Sequence, residues 1–466
     1  MSFFTNAHGT TIYHGQFNSV GGNQTNNSTV NAQVALQILS QTLADVGGAH
    51  NSEARYPPPR CHPETREEVR RLITDQVRSW KESWYIYWLY GPAGAGKSAV
   101  AQSISEECHA SGDLIASYFF SRDHPKRNTP TYIFLTVTYG LARAVPELQE
   151  PIGQVIRTNP AILHSSLEEQ FVQLIVNPCR WLTQREKWGS RPRLMVVDGL
   201  DECEGSQMQT RILSIIAKAV REPEGLPLQF LICSRPEPTI REFFDTKVFE
   251  PAFWYHVLDN DTSTYRDIYI FLRDGFAKIR EDVKYRSIRF PPTWPDPDDV
   301  HTLVRKSDGQ FVYVVTILRF VGEEFDPCRR LKVVLGLVPN VDGDSPYKDL
   351  DVLYHHVLST NPKQRKTFMN ILGFVLYFRS IYEDFSLPEL EILLDISRGE
   401  AALALRGLHS VLDIANEKVL IRHASFTDLL KDKSRSGTFF VDQAYFKSFY
   451  PSCFIRFLNR VLDNGR

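Results

Sequence analysis

The window GPAGAGKSA, Gly91 to Ala99, holds Gly91, Gly96, Lys97 and Ser98 at the spacing G-x-x-x-x-G-K-[ST], with Gly94 inside it. These residue types at this spacing suit a polyphosphate. Glycine backbone turns its N–H groups inward, the lysine ammonium reaches the outer phosphates, and the hydroxyl that follows can ligate Mg²⁺. A second constellation lies in RPRLMVVDGLDEC, where an apolar run ends at Asp198 and Asp201 and Glu202 follow. A carboxylate at the end of a buried strand can hold Mg²⁺ directly or through water, and one of the next two can polarise an attacking water. Phosphoryl transfer asks little more of a protein than positioning and charge neutralisation. The third is LQFLICSRPEPTI, which delivers Arg235 at the end of another apolar run. A guanidinium there can grip a γ-phosphate bidentately, although a single arginine also caps strands or pairs on surfaces, and that alternative stands.

Such residues meet only if the chain positions them. YIYWLY before the loop has the aromatic, β-branched character of a buried strand, and SAVAQSISEEC after it has helical character. The loop then sits where a helix start adds unpaired N–H groups and the positive end of its dipole. Strand patterns at 85–90, 114–121, 193–198 and 228–234 alternate with helical patterns at 97–109, 129–149, 166–182 and 206–221. That alternation predicts an α/β P-loop NTPase fold, a parallel sheet covered by helices. Upstream, the helical stretch Val30 to Val46, a Gly47-Gly48 stop and the stiff YPPPRCHP link lead into the helix ETREEVRRLITDQVRSW. After Asp259 helical patterns dominate, with Asp298 as a helix cap in FPPTWPDPDD. Helices at about 347–358, 362–378, 387–395 and 399–406 precede a hairpin around Ala415 to Lys418 that runs into another helix, a winged-helix-like pattern. The organisation expected is a polar low-complexity segment (1–29), a short helix and Pro-rich linker (30–59), a nucleotide-binding domain (60–259), an all-helical domain (260–345) and a winged-helix-like and C-terminal helical region (346–466). Thr10 to Asn27 carries no Lys, Arg, Asp or Glu and a Gln/Asn-rich end, a composition suited either to a flexible tail or to a short motif whose copies stack as cross-β.

The bulk properties narrow the classes. The chain has 466 residues, 42% of them apolar, enough for two or three packed domains. Lys plus Arg is 53 against Asp plus Glu 55, so no global field recruits nucleic acid or a membrane surface. Seven scattered cysteines form no C-x-x-C pair and read as reduced thiols. The start MSFFTNAHGT lacks the pattern of a secretory signal, and the longest apolar runs are shorter than the ~20 residues of a membrane span, which together predict a cytoplasmic protein. A motor is not supported: no LSGGQ-like signature and no basic, aromatic track for a nucleic-acid strand occurs.

In this order and spacing GPAGAGKS, LMVVDGLDE and ICSRPEP resemble the NACHT family of signal-transduction NTPases, within the STAND group of P-loop proteins. RCHPETREEVRRLI, SDGQFVYVVTILRFV, LDVLYHHVL and IRHASFTDLL are similar to stretches of the large fungal NACHT families with a nephrocystin-3-like N-terminal type, and the resemblance runs from about Arg60 to Ile455. It implies a switch driven by ATP or GTP with Mg²⁺, closed over ADP at rest, that opens and self-oligomerises when a sensor is triggered. It assigns Gly91, Gly94, Gly96, Lys97, Ser98 and Ala99 to the phosphates, Ser98 and Asp198 to the metal, Asp201 and Glu202 to water activation and Arg235 to sensing. His423 in IRHASF resembles the winged-helix histidine that touches the ADP β-phosphate, while a core histidine remains the alternative. Family members usually continue into WD, ankyrin or tetratricopeptide repeats. No internal repeat of 20 to 50 residues occurs here, so a separate sensor or effector protein is one expectation. Fungal non-self recognition or regulated cell death is the setting the resemblance suggests. A sensor-less nucleotide-binding scaffold or decoy without turnover is the alternative.

Overall fold

Apolar runs separated by amphipathic ones become, in the computed structural model, one five-stranded parallel sheet between helices. The structure describes residues 25–79, 85–122, 124–185, 188–221, 226–246, 253–258, 262–323, 326–336, 347–359, 364–378, 385–408, 410–421 and 423–464. The strands are β1 (Ile86–Tyr90), β2 (Leu114–Phe119), β3 (Leu194–Asp198), β4 (Gln229–Ser234) and β5 (Phe253–Val257), in the order β2-β3-β4-β1-β5. β2, β3 and β4 are buried along their whole length, as strands covered on both faces must be. Sequence periodicity did not announce β5. Its Trp254 and Tyr255 are exposed and, among the described residues, it pairs only through β1, so an edge strand lacks the continuous apolar run that marked the others.

The helices of this half are α1 (Thr25–Thr42), α2 (Glu67–Arg78), α3 (Lys97–Ser111), α4 (Ile133–Ala144), α5 (Gln149–Thr158), α6 (Leu167–Phe171), α7 (Asn177–Arg185), α8 (Ser206–Arg221) and α9 (Pro238–Asp245). One face of the sheet packs with α1, α4, α5 and α8 around Trp88, Tyr118, Phe134 and Phe171. The other carries α2 and α3 around Val100, Ile104 and Ile73. The first helix runs Thr25–Thr42 rather than from Val30 to Val46, so Thr25 to Asn27 belong to it, while the rest of the Thr10 to Asn27 stretch lies outside the described residues. The span 129–149 is not one helix. Pro130 and Pro146 each begin a 3₁₀ turn on either side of α4, because proline suits a first turn and lacks the N–H an interior needs.

The remaining helices are α10 (Thr262–Glu281), α11 (Pro297–Ser307), α12 (Phe311–Val321), α13 (Pro327–Gly336), α14 (Lys348–Leu358), α15 (Arg365–Tyr377), α16 (Leu387–Leu394), α17 (Glu400–Ala404), α18 (Ala424–Lys431), α19 (Lys433–Ser436) and α20 (Gln443–Asn464). An antiparallel hairpin, β6 (Leu412–Ala415) and β7 (Lys418–Ile421), precedes α18. α10 to α18 and α20 share one core containing Leu272, Val314, Tyr354, Phe368 and Phe426. The cap of α11 is Asp296, which accepts from the Asp298 backbone N–H at 2.9 Å, and not Asp298 itself. Pro297 takes the first helical position, which leaves the residue before it as the cap. Among the described residues no helix is long and apolar enough to cross a membrane.

Candidate functional site

The phosphate loop begins where β1 ends. Gly94 and Gly96 adopt φ of 81° and 96°, a left-handed conformation that side chains rarely take, and Gly96 is the residue from which α3 starts. Space reinforces the requirement at Gly94: a Cβ there would lie 2.2 Å from Val312 Cγ1. At Gly96 the nearest atom to such a Cβ is a Phe311 carbon at 3.9 Å, so the conformation rather than crowding demands glycine. No side chain caps the start of α3. Lys97 Nζ donates at 2.8 Å to the carbonyls of both Gly91 and Pro92, which curls the loop around its own ammonium. Burial pushes the Lys97 pKa down, and Asp201 draws it back up more than Asp198 does.

Three other strand ends meet this loop. Asp198 closes β3, is 4% exposed, and is pushed up to about 6 by burial against the opposing effects of a Ser98 hydrogen bond, Arg55 and Lys97. Ser98 and Asp198 thus bring two hard oxygen donors together, the set that a Mg²⁺ ion completing its shell with water and phosphate oxygen accepts. Parallel register sets Ser234 level with Tyr90 and Cys233 level with Asp198, so Arg235 emerges between the loop and Asp198. Its backbone N–H donates to Asp201 Oδ1 at 2.9 Å and its Nε lies 3.3 Å from Asp201 Oδ2. The Asp201 side chain is 4% exposed, which makes that pairing a buried one. Glu202 Oε2 accepts from the Arg122 backbone N–H at 3.2 Å. The structure therefore brings together Gly91, Gly94, Gly96, Lys97, Ser98, Ala99, Asp198, Asp201, Glu202 and Arg235 along the carboxyl edge of the sheet, where ligands of open α/β sheets bind.

His423 arrives from another part of the fold. It is the residue from which α18 starts, in extended conformation and half-buried. One turn along the same helix, Asp428 reaches the sheet edge: its Oδ1 accepts from Arg122 Nη1 at 2.8 Å and its Oδ2 from Arg235 Nη1 at 2.7 Å. Arg235 is 17% exposed and Asp428 24%.

Sequence reasoning missed four contributors. Arg122, three residues past β2, had no motif around it. Asp428 carried no signal beyond its place in TDLL, just after His423. Arg66 lies between the loop and α10, its guanidinium donating to the Ala95 carbonyl at 3.2 Å and to Thr264 Oγ1 at 2.8 Å, its backbone N–H to Asp267 at 2.9 Å. The fourth is Val312, whose N–H donates to the Gly94 carbonyl at 3.2 Å, so that α12 abuts the phosphate loop. Arg55 packs 3.4 Å over the Phe119 ring and donates to Gln102 on α3 at 2.7 Å, bracing the opposite side.

The family described as Nephrocystin 3, N-terminal, matches residues 70–235, which span the loop, Asp198 and Arg235. No curated protein matches the chain. Among solved structures, a Walker-type ATPase of Pyrococcus abyssi is similar at 14% identity over 80% of this chain and 98% of its own, with a TM-score of 0.37. A STAND protein with a tetratricopeptide repeat sensor from Pyrococcus horikoshii is similar at 14% identity over 88% of this chain and 47% of its own, with a TM-score of 0.44. AMPPCP-bound DnaA from Aquifex aeolicus gives 12% identity, 84% and 95% coverage and a TM-score of 0.32. Residues 70–235 thus resemble that family, the α/β half has the fold of a P-loop NTPase, and a helical region follows.

Proposed function

We propose that the chain is a nucleotide-dependent switch of NACHT/STAND type, in which ATP or GTP, and ADP or GDP after hydrolysis, decides how the helical half sits on the α/β half. The observation that carries this reading is the seat of Val312 on the phosphate loop. The α12 N-terminus packs where a Gly94 side chain would lie, and its N–H bonds the Gly94 carbonyl, so a shift of the loop around a polyphosphate reaches the helical core directly. In this reading the loop amides from Gly91 to Ala99 and Lys97 hold the phosphates, and Lys97 trades its two loop carbonyls for phosphate oxygens. Ser98 and Asp198 would hold Mg²⁺, which when bound neutralises phosphate charge and orients the terminal group. Glu202 orients water beside it. Asp201 holds Arg235 in place through backbone and side chain, so its effect on turnover passes through that arginine. His423 stands at the start of α18, the helix whose Asp428 reaches the sheet edge, and serves the diphosphate state. The expected turnover lies well below the ~1 s⁻¹ at the lower end of ordinary enzymes, as suits a switch rather than a motor. Self-oligomerisation on opening, and a cytoplasmic setting in fungal non-self recognition or cell death, are the biology the motif resemblance supports.

The test is the nucleotide that copurifies with the chain, released by acid and identified by chromatography. Lys97→Ala should lose it, since a charged hydrogen bond of about 1.5–3 kcal/mol is removed from a desolvated loop. Equal nucleotide content in wild type and Lys97→Ala ends the reading. Asp201→Asn combined with Glu202→Gln should keep nucleotide and accumulate the triphosphate.

A further inference from the structure

Arg122 and Arg235 come from the ends of β2 and β4 and share one carboxylate. Asp428 spans them with one oxygen each, at 2.8 and 2.7 Å, across 306 and 193 residues of sequence. That is the geometry in which two guanidiniums grip two oxygens of a phosphate. The pair also lies where a terminal phosphate belongs. Arg235 follows Ser234, which is level with the last residue of β1, and its charge is felt by the Lys97 ammonium. Arg122 is tied through its backbone to Glu202 and lies 3.8 Å from Asp201 through Nη2. Asp201 already serves Arg235 from the sheet side, so Asp428 is the carboxylate that reaches these cations from the solvent side, on a helix belonging to the other half of the molecule.

We propose that Asp428 is a built-in stand-in for the γ-phosphate: its carboxylate and the terminal phosphate of a nucleoside triphosphate compete for Arg122 and Arg235. This rests on the switch reading given above and specifies how that switch tells three phosphates from two. A diphosphate ends short of the two guanidiniums and leaves α18 latched. A triphosphate reaches them with more negative charge than one carboxylate, and Asp428 must withdraw with its helix. The latch therefore opposes triphosphate binding and leaves diphosphate binding untouched, and Arg122 becomes a specificity-determining residue that no motif marked. By linkage the two ligands of the clamp weaken one another by the same factor, typically 5- to 150-fold for such couplings.

Titration of the full chain with fluorescent ADP and AMPPNP, and in parallel GDP and GMPPNP, in Mg²⁺ decides it. Asp428→Asn should tighten the triphosphate analogue by about 10-fold relative to the diphosphate, and should enlarge the hydrodynamic radius without nucleotide. Arg122→Ala, which keeps the Arg235–Asp428 pair, should instead lower the triphosphate-to-diphosphate affinity ratio below wild type. If either variant is too unstable to titrate, the other decides alone. Ratios equal to wild type in the variants measured overturn the inference. Lys97→Ala separates the two levels: if it binds both nucleotides as wild type does, the switch reading itself fails. If it binds neither while the Asp428→Asn and Arg122→Ala ratios stay unchanged, the switch stands and only the stand-in falls.

Discussion

The phosphate loop and the arginine clamp do adjacent jobs on one sheet edge, and they are built in opposite ways. The loop takes everything it needs from nine consecutive residues. Two left-handed glycines, a lysine folded back on the Gly91 and Pro92 carbonyls and the start of α3 are local consequences of a strand, a turn and a helix. The clamp takes Arg122, Asp201, Arg235 and Asp428 from four separate elements, and each is placed by something other than its neighbours in sequence. A site built locally survives domain movement. One built across domains reports it, because it exists only while the domains are together.

The comparison is sharpest at Arg235. Arg235→Ala leaves the nearly buried Asp201 and the part-buried Asp428 facing Arg122, 3.8 and 2.8 Å away, with one of their two clamp arginines gone, and removing one partner of a buried cluster costs up to about 3 kcal/mol. Urea unfolding should show that loss, and Asp428→Asn in the same background should recover part of it. A full-strength Arg235→Ala protein would place the clamp among inert surface pairs.

Next in size is the loop. Gly94→Ala adds about 1–2 kcal/mol of left-handed strain and drives a methyl against Val312, whose branched side chain is stiff. Equilibrium unfolding should show a loss of at least about 2 kcal/mol, and Val312→Ala should rescue the contact part but not the backbone part. Complete rescue would mean that φ is not limiting there.

A pH effect comes third, from the brace behind α3. His50 lies against Ser117, its Nδ1 2.9 Å from Oγ, and burial first, then His109, lowers its pKa from 6.5 to about 4, while Glu106 opposes and Arg55 assists. The folded state therefore resists the proton that the unfolded chain accepts. The contribution is complete above pH 6.5 and is lost as pH falls toward 4, by about 1–2 kcal/mol at pH 5. His50→Gln should flatten the melting temperature between pH 6.5 and 5, and an unchanged acid slope would assign it to another group.

The smallest effect belongs to Arg60 and Glu106, 2.8 Å apart with the arginine 56% exposed. Arg60→Ala should barely move stability, because an exposed pair is screened by water and loses in side-chain entropy what it gains in attraction. Chemical denaturation that finds it as costly as Arg235→Ala would remove burial as the distinction between the two pairs.

What was legible in the sequence follows the same division. Buried strands announce themselves because both faces are apolar, so β1 to β4 stood out, and so did the helix from Ser206 to Arg221. β5 did not, since its outward Trp254 and Tyr255 carry no periodic contrast with solvent-facing neighbours. Among site residues, Lys97, Ser98, Asp198 and Arg235 were visible because each ends a strand or starts a helix whose pattern is local. Arg122 follows β2 by three residues, but an arginine after FFS has no spacing to any partner, and Asp428 sits in an ordinary amphipathic helix.

The sequence by itself determined the buried strands β1 to β4, the phosphate loop and the carboxylates at and after the end of β3, because backbone conformation, strand direction and helix start depend on residues within a few positions of one another. Only the tertiary structure decided that α12 closes on Gly94, that Arg66 ties the loop to α10 and that Asp428 spans two arginines. Those contacts depend on which helix face the shared apolar core turns toward the sheet, a choice made by the summed burial of residues spread over two hundred positions, and no short pattern records it.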